Sequence, residues 1–120
     1  MLQIQLGHER PVDPANDWLE RSRVGSWPGM SEEQAWITGR GVWVFNTDRA
    51  LRQDEVQIVD PSGTVLAVAR IDGITKCGDR HYALEGSLLL GDPRVGNPTP
   101  TPHPSRNAVA YFDDSPRLRR

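Results

Sequence analysis

Trp27, Trp36 and Trp43 lie close in the chain to Arg40, and this grouping is the part of the sequence best suited to chemistry. A flat heterocycle can stack on an indole ring or a guanidinium plane, while amide and hydroxyl groups read its edge. Arg49 follows a few residues later, and Ser105, Arg106 and Asn107 add polar groups further on. Together these residues form the predicted ligand-binding set. The chemistry they suit is recognition of a base or nucleotide, with no bond made or broken. A competing reading puts the indoles in the core, because Trp is highly buried on average. For Trp27, set in the loop Gly25-Ser26-Trp27-Pro28-Gly29, plugging the core from the loop is the preferred placement.

Other chemistries find less support. His8, His81 and His103 are far apart and lack metal-ligand spacing. Cys77 and His81 are four residues apart, but across an expected hairpin turn, and a zinc site needs more ligands converging. A thiol nucleophile at Cys77 needs a base within hydrogen-bond reach and an oxyanion site. Asp13, Asp17, Asp48 and Asp54 read as caps and turns rather than a catalytic pair. No glycine-rich phosphate loop is present. No metal or other cofactor is therefore expected. Catalysis ranks third among the function classes and requires a cleft gathering Cys77, a histidine and an acid.

Composition narrows the partners. A net charge of −2 argues against tight non-specific phosphate binding, although a local basic face remains compatible with it. Lys76 is the only lysine, so the cations are almost all arginine, which makes planar bidentate contacts that lysine does not. Cys77 is the sole cysteine, which excludes an internal disulfide and suits a reducing cytosol. No apolar run approaches the ~18 residues of a membrane span, and no secretory signal pattern is evident. A cytoplasmic location without membrane contact is expected. A chain of 120 residues suits one domain.

The elements that must position the indoles centre on residues 41–90. Val42, Val44 and Asn46 alternate with Trp43 and Phe45, which predicts a strand covered on both faces. Asn46 then caps a short helix whose Ala50 and Leu51 face the core. Glu55 to Val59 and Thr64 to Ile74 predict an antiparallel hairpin around the turn Asp60-Pro61-Ser62-Gly63. Asp72-Gly73 marks a bend or bulge in the second strand. Lys76-Cys77-Gly78-Asp79 predicts another turn, and Arg80 to Leu88 the return strand.

Before this body, Leu2, Ile4 and Leu6 alternate with Gln3 and Gln5, predicting a short strand at the sheet edge. Asp13-Pro14 signals a helix over Asn16 to Arg23, anchored by Trp18 and Leu19. Ser31-Glu32-Glu33-Gln34 is a capping box opening a helix to about Thr38. The glycines flanking Arg40 turn the chain or admit a close partner. After Leu90, Pro98, Pro100, Pro102 and Pro104 alternate with Thr99, Thr101 and His103. This polyproline-like arm is expected to lie along the sheet, because Ala108 to Phe112 reads as a last strand. The domain is thus 1–112, with 113–120 a frayed charged tail.

Short strands with local pairing predict a β-dominated α+β protein: a small curved sheet or barrel with two or three short helices. The run GVWVFNTDRALRQDEVQIVDPSGTVLAVARIDG, an aromatic strand, a short Arg-containing helix and a hairpin ending in glycine, resembles the middle of PUA-like barrels of the EVE, ASCH and YTH type. It is also similar to short proteins of actinobacteria and their phages. The PUA-like resemblance implies a barrel that binds RNA, DNA or a modified base, with Trp27, Trp36 and Trp43 as stackers. The chain departs from that pattern in its acidic balance and in lacking a full aromatic cage. The alternative function is a protein-interaction module, an adaptor or phage-type inhibitor, using the arm 97–104, since a pre-extended segment loses little entropy on docking.

Overall fold

A computed structural model describes residues 1–112; the expected tail, 113–120, lies outside the described residues. Five strands form a mixed sheet in the order β6-β5-β4-β1-β7. These are β1 Leu2–Gln5, β4 Glu55–Val59, β5 Val65–Gly78, β6 His81–Leu88 and β7 Val109–Tyr111. Two helices, α1 Glu32–Gly39 and α2 Thr47–Leu51, accompany a two-stranded ribbon of β2 Arg10–Pro11 and β3 Arg23–Val24. The fold is β-dominated α+β, as expected, but the sheet is open rather than closed into a barrel.

Local signals form as their chemistry dictates. Ser31 Oγ accepts from the Gln34 N–H at 3.1 Å, and Gln34 Oε1 accepts from the Ser31 N–H at 2.7 Å, completing the capping box. The Asn46 side chain caps α2 by accepting from the Arg49 N–H. Asp60 Oδ1 accepts from the N–H groups of Ser62 and Thr64, which closes the β4–β5 turn. The predicted bulge is the register shift between Ile71 and Gly73.

The core fills one face of the sheet. Leu2, Ile4, Val56, Ile58, Ala67, Ala69 and Leu84 are buried there with Phe45, Ala35 and Ala50. Full burial of one such branched side chain contributes about 1.5–3 kcal/mol. The opposite face is partly polar: Gln3 and Gln57 are fully or almost fully buried there. Gln57 Nε2 donates to Gln3 Oε1 at 2.6 Å and to Thr99 Oγ1 at 2.6 Å. Gln3 Nε2 donates to the Thr101 carbonyl and contacts His103 Nδ1, each at 3.1 Å. The proline-rich arm is therefore seated on the sheet, with Thr99, Thr101 and His103 bonded inward and Pro98, Pro100, Pro102 and Pro104 exposed.

Several local expectations fail: the turn expected at Lys76-Cys77-Gly78-Asp79 sits at residues 79–80, because β5 stays paired with β6 through Gly78. β1 is an interior strand, parallel to β4 on one side and antiparallel to β7 on the other. The crossover that parallel pairing needs is the long segment 6–54, which contains both helices. Residues 42–46 form no regular strand: only Trp43 exchanges backbone bonds with Tyr82, at 3.0 and 2.9 Å, before the chain turns into α2. Val44 is 58% exposed, so this segment is not covered on both sides. In place of a helix over 16–23 there is one 3-10 turn, Pro14–Asn16, and the chain is broken by Glu20 at φ 57°. Trp18, expected as an anchor, is 58% exposed. Leu51 is also exposed beside buried Ala50, because successive helical residues project about 100° apart.

Candidate nucleic-acid interface

The predicted site residues divide into several groups. Arg40 binds the molecule's own sheet: its Nε donates to the Leu84 carbonyl at 2.9 Å, and a terminal nitrogen pairs with Glu85 at 3.0 Å. The glycines beside it serve the same approach. A Cβ on Gly39 would stand 2.6 Å from Ile58 Cδ1, and one on Gly41 would stand 2.8 Å from the Ala83 Cβ. Trp36 is half-buried against the core. Trp27 lies half-buried beneath the Arg23 guanidinium, 3.7 Å from its ring centroid, in a separate hollow with Ile37. The structure thus separates Trp27, Trp36 and Arg40 instead of setting them around one opening.

Trp43 is placed differently. It packs against the core, and its Nε1 donates to the Gly39 carbonyl at 2.8 Å, which fixes the ring orientation. It borders a groove of about 450 Å3 that also takes in Arg106, Arg10 and His8. The groove forms where the end of β1 and residue 108 meet the β2–β3 ribbon and the segment following α1. Trp43 also borders a second hollow of about 420 Å3, lined with Val44, Asn46, Asn107, Val109 and Tyr111. Trp43 and Ala108 line both. Arg49 reaches this region through Tyr111, standing 4.4 Å over its ring. Ser105 accepts from the Asn107 N–H and so shapes the turn that carries Arg106.

The electrostatics of the first groove are set by which charges are already paired. Arg21 lines it, but its guanidinium binds Asp17 through two nitrogens, at 2.8 and 2.9 Å, and donates to the carbonyls of Thr38 and Gly41. The Arg21 hydrogen bond holds the Asp17 carboxyl below its ordinary range, against the opposing effect of burial. Asp17 is thus a matched charge. Arg10 and Arg106 are exposed and make no side-chain hydrogen bond or ion pair among the described residues. The groove consequently offers two unmatched guanidiniums and an imidazole around an indole.

His8, Arg10 and Tyr111 were not singled out from the sequence as site residues. An exposed arginine in a two-residue strand has no local signature; only the ribbon's position brings Arg10 to Arg106. A larger, open hollow of about 890 Å3 lies between the 14–20 turn and Cys77. Asp17 and Glu20 line it, with no histidine. Burial pushes the Cys77 thiol up, which disfavours the thiolate, and Cys77 Sγ donates to the Thr75 carbonyl. No cluster of three or more potential metal ligands occurs among the described residues. No helix of these residues is long and apolar enough to cross a membrane. No protein-family model, curated protein or solved structure matches the chain.

Proposed function

We propose that the chain is a noncatalytic binding module for nucleic acid or a modified nucleotide, using the groove beside Trp43. One observation carries the reading: Arg10 and Arg106, both without side-chain partners among the described residues, converge with His8 on a groove walled by an oriented indole. The groove's volume falls within the roughly 300–1,000 Å3 of small-molecule sites. Arginine forks match phosphate oxygens bidentately. Base–aromatic stacking contributes about 1–3 kcal/mol per base. PUA-like domains, which the central run resembles, take RNA or flipped modified bases.

The test is a fluorescence titration of plain and base-modified single-stranded oligonucleotides at several salt concentrations. Arg10→Ala and Arg106→Ala remove exposed groups and leave the core intact. Each should weaken binding and lower the salt slope by about 0.7, the value for one lost single-strand phosphate contact. Trp27→Ala, in the other hollow, should leave affinity nearly unchanged. Wild-type protein that binds no oligonucleotide at low salt refutes the reading. So does binding indifferent to both arginines.

A protein-interaction module is the second reading, supported by the exposed prolines of the arm. Seating of Thr99, Thr101 and His103 holds those four rings outward as a fixed ridge. Partner recovery unchanged by Pro100→Ala with Pro102→Ala defeats it.

A further inference from the structure

We infer that His103 is a pH-sensitive latch: its neutral ring holds the arm on the sheet and closes the turn that carries Arg106, and its protonation lets that segment lift. The atoms around the imidazole fix its state. Gln3 Nε2 lies 3.1 Å from the Thr101 carbonyl and 3.1 Å from His103 Nδ1. A carbonyl oxygen only accepts, so the Gln3 group facing it is the NH2. The same NH2 faces Nδ1, which must therefore accept. The other end of the Gln3 amide agrees, since its Oε1 accepts from Gln57 Nε2 and from the hydroxyls of Thr99 and Thr101. His103 Nε2 faces the Asn107 carbonyl, a second obligate acceptor, and must donate. One ring form meets both demands: neutral imidazole with its proton on Nε2. A proton added at Nδ1 sets two donors against each other and leaves the new N–H without an acceptor.

No compensating charge is bonded to the ring. Its hydrogen-bond partners, Gln3 on β1 and Asn107 in the following turn, are neutral. On β4, Gln57 is neutral, and Glu55 on the same face is paired with Arg94 at 2.9 Å. On β5, Arg70 stands opposite Glu55, and β7 presents Ala110 opposite Gln3. The charge nearest in the chain is Arg106, a cation, which opposes a second positive charge. No ion pair joins any of these groups to His103 among the described residues.

The segment is anchored at both ends and can lift between them. The Val65 N–H donates to the Asn97 carbonyl at 3.0 Å, and the Gln5 N–H donates to the Ala108 carbonyl at 2.8 Å. Between these points the arm is held by hydrogen bonds to Gly63, Gln3 and Gln57, which water can replace. Lifting bares these amides, while the main core stays sealed on the other face of the sheet. Histidine is the side chain whose charge ordinarily changes between pH 5 and 8. The lifted arm binds one more proton than the seated arm, so seating weakens as pH falls through that range and strengthens as it rises. Arg106 lines the nucleotide groove, so the latch governs one of its two unmatched guanidiniums. That consequence rests on the proposed function; the latch itself does not.

The test is an NMR titration of the full chain from about pH 8 to about pH 5. Nitrogen shifts of the imidazole read its tautomer. Amide exchange, divided by the intrinsic rate at each pH, reads the arm. At the alkaline end His103 should carry its proton on Nε2 alone. The Thr99 N–H donates to the Gly63 carbonyl at 2.8 Å and the Asn107 N–H to Ser105 Oγ at 3.2 Å. Protection of both amides should fall as the ring protonates, by up to about tenfold per pH unit, the limit for one linked proton. The amides of β4 should keep theirs. His103→Asn retains an acceptor near the place of Nδ1 but does not titrate, and should abolish the pH dependence. His8 and His81 remain in that variant, so a dependence that survives it overturns the proposal. A neutral ring protonated on Nδ1, or arm protection unchanged while His103 protonates, also overturns it, and both are read on the wild-type chain whether or not the variant folds. An arm that lifts as expected in a protein that binds no oligonucleotide upholds the latch and defeats only the groove reading.

Discussion

Replacing Gln3 by leucine should loosen the proline-rich arm and lower the stability of the whole domain. Gln3 has no solvent-exposed surface, yet its amide serves both Gln57 and the arm. Its Oε1 accepts from Gln57 Nε2 at 2.6 Å, Thr101 Oγ1 at 2.9 Å and Thr99 Oγ1 at 3.1 Å. Its Nε2 serves the Thr101 carbonyl and His103. Leucine fills similar space and removes all of these. The arm's groups can turn to water if the arm lifts, but Gln57, 2% exposed, then also loses its contacts to Thr99 Oγ1 at 2.6 Å and Thr101 Oγ1 at 3.5 Å. One lost buried bond costs about 1 kcal/mol, and a stranded donor about 1–3 kcal/mol more, for a total of roughly 2–4 kcal/mol. In a domain of this size that lowers Tm by roughly 10–20 °C. Thermal melts measure the total, and amide exchange at Thr99 and Thr101 shows where it acts. Both amides should exchange faster, because the Thr99 N–H donates to the Gly63 carbonyl only while the arm is seated. A Gln3→Leu protein that melts like wild type, with unchanged exchange at Thr99, would refute the claim that this network seats the arm.

Arg21→Ala should cost about 3–5 kcal/mol in urea unfolding, because it strands Asp17 as an unmatched carboxylate and uncaps the end of α1. Solvent reaching the 12%-exposed Asp17 side chain pulls the value toward the lower end of that range. Asp92 is lowered from 3.8 to about 2, chiefly by the Arg94 hydrogen bond. Its ionised form therefore favours folding above the ordinary value, and that contribution fades as pH falls from about 3.8 toward 2. An acid-unfolding curve for Asp92→Asn should show less pH dependence in that window. Gly86→Ala should be among the most damaging small changes, since the new Cβ would lie against the Arg70 carbonyl oxygen and backbone cannot yield as a side chain can. Gly39→Ala meets the Ile58 side chain first and should cost about 1–3 kcal/mol by denaturant titration. Cys77 should react with iodoacetamide more slowly at neutral pH than a free thiol, because burial raises its pKa.

The candidate site was legible in part. Trp43, Arg106 and Asn107 were recognisable as residue types suited to stacking and edge contact, and they do adjoin one another. Proximity in sequence misled for Trp27, Trp36 and Arg40. The helix between them carries Trp36 toward the core and delivers Arg40 to Leu84 and Glu85. Arg10 and Tyr111 were missed because nothing near either in the chain distinguishes it. Arg10 comes to the groove that Arg106 also lines, and Tyr111 contacts Asn46 and Arg49, only through the fold.

Amino-acid order alone determined what is closed over a few neighbours. The Ser31–Gln34 box, the Asn46 cap, the Asp60–Gly63 turn and the β4–β5 hairpin each satisfy their backbone groups within a handful of residues. It also set the alternation that turns Gln3 away from Leu2 and Ile4. Only the tertiary structure decided that β1 lies inside the sheet beside β4, which face of the sheet the arm covers, and that the sheet stays open next to Val44. Pairing between segments some fifty residues apart depends on loop closure and on what each face finds to bury, and no local pattern encodes either.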